Sequence, residues 1–399
     1  MNIDLILAIV FYGLLLLFYL KNKDKFEIQA KVLALYKTKL GLKLMDKFAK
    51  KFPTLLKYIG YIGVLFGFVR MVFILYYLIS GTYRLLTIPN SIPVLAPVLP
   101  GVKIAGLPTL SFWYWIISIL VIAVVHEFSH GVFSRLYGVK IKSSGFAFLG
   151  PLLAAFVEPD EKNLAKKSKL AQLSILAAGS FANILTACFV LLITILILNP
   201  AVSSIVEQKG IQVLALEENY PAYNAGLKEG DTVLFVNNFP VSTTEDFKNV
   251  LANLKPDDKV IIQTNNTIKN LIATKNPNNV SKGYLGISIA PLDLKVKDGI
   301  IKKYGNFIPL TILWIAKLFF WLFAINLGVA LFNLLPLAIV DGGRMFTTGL
   351  SYFVKSKRKI YIIFRAITFL CLFLIFVNLL PYIIKLILFL INPLLVLLS

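Results

Sequence analysis

Histidine and cysteine are scarce in this 399-residue chain, which has two of each. Cys188 and Cys371 lie far apart inside apolar segments. That excludes a readable disulfide framework and leaves them as small apolar residues. Charge is thin as well. Charged residues make up 15% against 58% hydrophobic, with a mean hydropathy of +0.78. Such a balance excludes a soluble globular protein and indicates a polytopic membrane chain, whose spanning helices each need about 20 apolar residues. Acids are the scarcer sign, 20 against 41 Lys and Arg, for a net charge of +21. The basic excess sits in blocks beside apolar segments, KNKDK at 21–25 and KSKRK at 355–359. Blocks of that kind fix orientation and face anionic lipid, so no nucleic acid partner is expected.

The apolar runs predict an α-helical membrane protein interrupted by one small β-rich soluble domain. The first run, MNIDLILAIVFYGLLLLFYL, has Asp4 where a basic segment would precede a signal peptide, and its lysines follow. It is expected to remain as a helix with its N-terminus outside. Further spans are expected near 59–79, 110–133, 170–198, 318–335 and 360–380. Residues 81–108, rich in Pro and Gly, read as an irregular loop at the membrane. The stretch after Pro381, about 17 apolar residues, is short for a crossing. Arg70, Lys317 and Arg365 are intramembrane or interfacial charges, for which protein, water or snorkelling is the remedy.

Between 201 and 290 the pattern changes to short alternating runs such as TVLFVNN and KVIIQTN, separated by turns. The domains expected are therefore 1–109 (first helices, basic loop and membrane-associated loop), 110–200 and 291–350 (two halves of a core), 201–290 (the β-rich insert) and 351–399 (the C-terminal membrane segment). With 21–56, 135–169 and 353–359 placed in the cytoplasm by their lysines, the crossings alternate and the insert lies outside.

Both histidines of the chain fall in one stretch, VIAVVHEFSHGVF at 121–133. His126 and His130 are i and i+4 on a helix, so they share one face a turn apart and can bind one Zn²⁺. Glu127 beside them can take a proton from a water polarised there. Placing two imidazoles and an acid in hydrocarbon costs on the order of a few kcal/mol per ionisable group, which argues for function. A catalytic zinc takes three protein ligands. With no histidine left, the third must be Asp, Glu or Cys, and the candidates near the same depth are Glu158, Asp160, Glu161 and Asp341. Around the last of these, FNLLPLAIVDGGRMF, Pro336 breaks a helix and Gly342 and Gly343 permit a tight turn. Asp341 reads equally well as a ligand or as an interfacial turn residue.

HEFSH at 126–130, together with Asn333, Pro336, Asp341 and Gly342 (N-x-x-P-x-x-x-x-D-G), resembles the site-2 protease family, intramembrane zinc metalloproteases. The family's central motif is matched by Gly179 and Asn183 in AAGSFANIL, and the resemblance covers about residues 110 to 350. It implies one zinc ion held by His126, His130 and Asp341, with Glu127 as general base and Asn183 near the substrate or its developing oxyanion. The implied partners are a transmembrane protein substrate and the bilayer, with the active site toward the cytoplasm. A membrane zinc protease of another kind would instead use Glu158 or Glu161, and a zinc-clipped scaffold would not need Glu127. Residues 221–241, with Ala225 and Gly226 to Asp231 as A-G-L-x-x-G-D, resemble a PDZ domain, which implies binding of an extended peptide or carboxyl terminus. GYLGI at 283–287 is similar to a PDZ carboxylate-binding loop, yet lies at the domain's end.

Overall fold

Helices account for every long apolar run. The computed structural model describes residues 3–29, 33–88, 91–102, 104, 107–149, 152–207, 210–277, 279–291 and 295–398. By contacts the chain divides into two units: Met1–Val102, Thr109–Thr194 and Lys317–Ser399 form the larger, and Lys103–Pro108 with Ile195–Ala316 the smaller. Six helical segments among the described residues are long and apolar enough to cross a membrane.

In the larger unit, α1 (Ile3–Lys21) leads to β1 (Phe26–Gln29) and β2 (Leu33–Thr38). Helices α2 (Leu42–Lys51), α3 (Pro53–Thr87) and α4 (Phe112–Leu136) follow. The apolar window of α1 buries nothing against the protein, as a helix bathed in lipid would have it. Its Asp4 accepts from Ser111 Oγ (3.1 Å) and from the Phe112 N–H (3.0 Å), so α1 supplies the N-terminal cap of α4. On α3, Gly60, Gly63 and Gly67 form a buried stripe, and small residues of this kind let membrane helices approach closely. The helix α3 takes in 81–87 of the stretch read above as a loop, and ends as the chain nears Pro89. Residues 91–102 are irregular, while 89, 90, 103, 105 and 106 lie outside the described residues.

The connection at 135–169, expected as a basic loop, contains a hairpin of β3 (Ile141–Leu149) and β4 (Leu152–Pro159). It completes an antiparallel sheet of order β1-β2-β3-β4, with Ser144 opposite Val157 and Thr38 opposite Ser144. After the short α5 (Glu161–Ala165), α6 (Lys169–Ile193) packs on α3 and α4 and passes into a π-helical turn at Thr194–Leu198.

The smaller unit contains α7 (Asn199–Ile205), β5 (Val206–Glu207), β6 (Ile211–Leu216), α8 (Pro221–Asn224), β7 (Thr232–Val236), β8 (Phe239–Pro240), α9 (Thr244–Val250) and β9 (Lys259–Thr264). Then come β10 (Ile268–Ile272), β11 (Thr274–Asn276), β12 (Asn279–Tyr284), β13 (Ile287–Pro291), β14 (Lys295–Val296) and α10 (Asp298–Tyr304). Its main sheet runs β10-β9-β7-β6-β13. The inward residues of the alternation, Ile211, Val213, Val233, Val236, Val260 and Ile262, make a dry core closed by Phe247 of α9.

The helix α11 (Phe307–Phe332) returns the chain to the larger unit, where α12 (Asp341–Leu350) and α13 (Lys357–Leu398) complete it. The last of these runs on through Pro381, so the short final stretch is the end of a 42-residue helix. Arg70 lies over the Phe66 ring at 5.6 Å, and Arg365 over Tyr361 and Phe369, while Lys317 is exposed.

Candidate metal centre

The i, i+4 pair on α4 meets Asp341 from 211 residues further on. His126 Nε2 lies 3.0 Å from His130 Nε2, and each lies 3.1 Å from Asp341 Oδ2. Two ligand atoms about 2.0–2.1 Å from a tetrahedral zinc stand about 3.3 Å apart, so this triangle fits one such ion closely. Both imidazoles are buried.

Asp341 reaches them because the chain turns sharply. The helix α11 stops at Phe332, and the Asn333 carbonyl then accepts from the Gly342 N–H at 2.8 Å, closing a loop around Pro336. A Cβ at Gly342 would strike the backbone of Leu334 and Leu335, and one at Gly343 the Leu337 carbonyl. Glycine is therefore the residue that lets α12 begin at Asp341. An acid in a first helical turn is also favoured by the backbone dipole.

The helix α6 sets the imidazoles with one face. Ile175, Gly179 and Asn183 stand on successive turns. The Ile175 carbonyl accepts from His130 Nδ1–H at 2.7 Å, which leaves the Nε2 lone pair for a cation. The bare backbone of Gly179 lies where a Cβ would collide with His126 Nε2 and His130 Nε2. The Asn183 amide stands 3.2 Å from His126 Nδ1, and its Oδ1 has no hydrogen-bond partner. The atom facing Nδ1 is Asn183 Nδ2; exchanging the amide's nitrogen and oxygen would let Oδ1 accept from Nδ1–H and hold His126 in the same tautomer as His130. The structure thus places Asn183 against a histidine of the triangle.

Glu127 is half-buried, and its Oε2 accepts from the Val157 N–H of β4 at 2.8 Å. A cavity of about 800 Å³ joins these parts, lined among others by His126, Glu127, Ala155, Asn333, Ile339 and Asp341. Its walls are α4, the sheet and the turn before α12. Sequence reasoning missed the sheet.

The other acids considered as ligands are engaged elsewhere. Glu158 takes a hydrogen bond from Ser143 Oγ (2.7 Å) and lies 3.4 Å from Lys37 Nζ. The hydroxyl and then the ammonium hold its carboxyl below the usual carboxylate range, against a small cost of burial. Glu161 forms a bidentate pair with Arg344 at 3.1 and 2.7 Å. Asp160 caps α5 through the Asn163 N–H, which lowers its affinity for a proton.

Comparison with known proteins points the same way. The model of peptidase family M50 matches residues 114–374. An uncharacterized protein of Methanocaldococcus jannaschii is 28% identical over 353 residues, covering 86% of this chain and 85% of its own. Two clostridial proteins carry names as zinc metalloproteases. That of Clostridium acetobutylicum is 28% identical over 46% of this chain and 54% of its own, and that of Clostridium perfringens is 24% identical over 58% and 81%. Among solved structures, the PDZ domain of the SdrC-like protein from Listeria monocytogenes is similar over 21% of this chain and 88% of its own, at 17% identity and a TM-score of 0.19. A solution structure from Geobacillus thermodenitrificans is similar over 20% and 95%, at 24% identity and a TM-score of 0.18. With the family model covering well over half of a multi-pass membrane chain, this protein belongs to peptidase family M50, as a zinc metalloprotease of the site-2 type.

Proposed function

We propose that the chain hydrolyses peptide bonds within transmembrane segments of other proteins, using one zinc ion held by His126, His130 and Asp341. The observation that carries this reading is the triangle of ligand atoms sharing a cavity with Glu127 inside a unit built of spanning helices. A zinc ion bound there acidifies a water and polarises a carbonyl oxygen. The chain's own groups do the rest. Glu127 takes the proton of the attacking water and passes it to the leaving amine. Ile175 holds His130 in the tautomer that keeps Nε2 free, and Asn183 would do the same for His126 with its amide oxygen toward Nδ1. The walls of the cavity keep lipid from the water that hydrolysis consumes.

A helical substrate hides its amides in its own hydrogen bonds, so it must open locally before attack. Helix-breaking residues near the scissile bond are therefore expected to speed cleavage. Equal cleavage of an unbroken polyleucine helix would overturn that expectation. The lysine blocks support an orientation with the active site toward the cytoplasm and the PDZ-like domain extracytoplasmic.

The smaller unit is read as a PDZ-like gate or receptor. Its β13 is the last strand of its sheet, and an open edge accepts an extended peptide as an added strand. Deleting 205–288 should then admit substrates whose outer parts have not been trimmed; unchanged specificity would remove the gate.

The central test compares wild type, Glu127→Gln and Asp341→Ala in detergent against a model membrane-helix substrate, with zinc content measured beside cleavage. Glu127→Gln should keep its zinc and lose cleavage, and Asp341→Ala should lose both. Wild type without zinc, or Glu127→Gln with full cleavage, would overturn the reading.

A further inference from the structure

The strand β4 ends the sheet, so every second peptide group along it faces away from β3. Val157 is one of these. Its N–H is spent on Glu127 Oε2, at 2.8 Å, across a sequence separation of 30 residues. Two residues earlier, Ala155 turns its N–H to the same edge, because no bulge interrupts the pairing of β4 between them. Both residues line the cavity that holds the ligand triangle.

A glutamate side chain has three rotatable bonds, and its carboxylate can offer either oxygen in several directions. The backbone N–H removes most of that freedom. It is a donor on a strand paired with β3 without a break from Leu152 to Glu158, and a bond from such a group to a carboxylate is charge-assisted. It occupies Oε2 and leaves Oε1 as the oxygen open to a proton. No side chain can replace this donor, since what is used is the peptide group itself.

We infer that the Val157 N–H, on the outer edge of β4, is a positioning group that aims the Glu127 carboxylate within the cavity, so that the four-stranded sheet sets the geometry of the base. The inference rests on the protease reading for the part Glu127 plays, while the contact itself is independent of it. It gives the sheet a task beyond walling the cavity: displacement of β4 along its own axis would carry the carboxylate with it. It also separates two kinds of damage, because Glu127 can be misaimed with the ligand triangle left whole.

The test reads the contact and its consequence separately. Amide exchange is measured on the full chain in detergent micelles with valine and alanine labelled in nitrogen, for wild type and Glu127→Ala. The Val157 amide should exchange at least about tenfold faster in Glu127→Ala, and the Ala155 amide at an unchanged rate. Equal Val157 rates in the two proteins would overturn the inference, as would a matching acceleration at Ala155, which would mean that the whole edge had loosened. Cleavage then separates Val157→Pro, which lacks the donor at a position whose N–H does not serve the ladder, from Val157→Ala, which keeps it. At equal zinc content and similar KM, kcat of Val157→Pro should fall at least about tenfold below that of Val157→Ala. Equal kcat values would overturn the positioning role. Should Val157→Pro fail to fold, the exchange rates alone decide. A wild-type chain without cleavage would sink the protease reading while leaving the exchange result standing, so the two failures are distinct.

Discussion

Both units bury apolar side chains, but they differ in the polar ones they bury. The smaller has a core of Ile, Val, Leu and Phe, and of the buried polar side chains among the described residues only Thr264 belongs to it. The larger buries His126, His130, Asn183, Asn326, Asn378 and several serines, while Val72, Tyr76, Leu86 and Phe189 stand exposed. One sequence thus follows two rules. Where water is the solvent, apolar side chains leave it and form the core. Where lipid is the solvent, apolar side chains meet it without penalty, and polar groups must find each other inside. The interior of the larger unit is therefore where chemistry can be housed, and that of the smaller where shape is held.

Substitutions that touch one unit and spare the other sharpen that contrast. The largest effect is expected from Glu127→Gln, which should lower kcat by about 10²–10⁴-fold with zinc content and the melting of the smaller unit unchanged. Metal analysis and steady-state rates check it. Ile262→Ala, in the dry core, should cost the smaller unit about 2–5 kcal/mol, as cavities of that size do. Calorimetry should show that loss, while the larger unit keeps its zinc. If zinc were released as well, the two interiors would not be independent. Gly179→Ala sets a methyl against the imidazole nitrogens and should weaken zinc binding by about 10–100-fold, read by chelator competition. The smallest effect belongs to the exposed pair of Glu161 and Arg344. Glu161→Gln should change stability by about 0–1 kcal/mol, and that difference should shrink further in high salt.

The metal-binding part of the candidate site was legible because its residues are improbable in a membrane. Two histidines a turn apart, an acid between them and an aspartate after a Pro and before two Gly each break a local rule of apolar helices. The spanning helices were legible for the complementary reason, as uniform apolar runs. The sheet β1-β2-β3-β4 was not. Its strand LLAAFVEP is apolar at successive positions through Val157, and residues 154–159 all line the cavity, so the alternation of period two is blurred. The contact between Val157 and Glu127 depends on that sheet, and a backbone N–H leaves no mark in a sequence. Asn183 could be found by its motif, yet its place against His126 needed the register of α6 on α4.

The separation of Asp341 from the histidines bears on the order in which the protein is made. His126, Glu127 and His130 emerge from the ribosome with the third crossing, and more than two hundred residues, Ile195–Ala316 of the smaller unit among them, must follow before Asp341 appears. A nascent or truncated chain ending before α12 carries His126, Glu127 and His130 but leaves the triangle with Asp341 open. On the proposed ligand set, hydrolytic capacity would be withheld until the segment carrying Asp341 has joined the earlier helices.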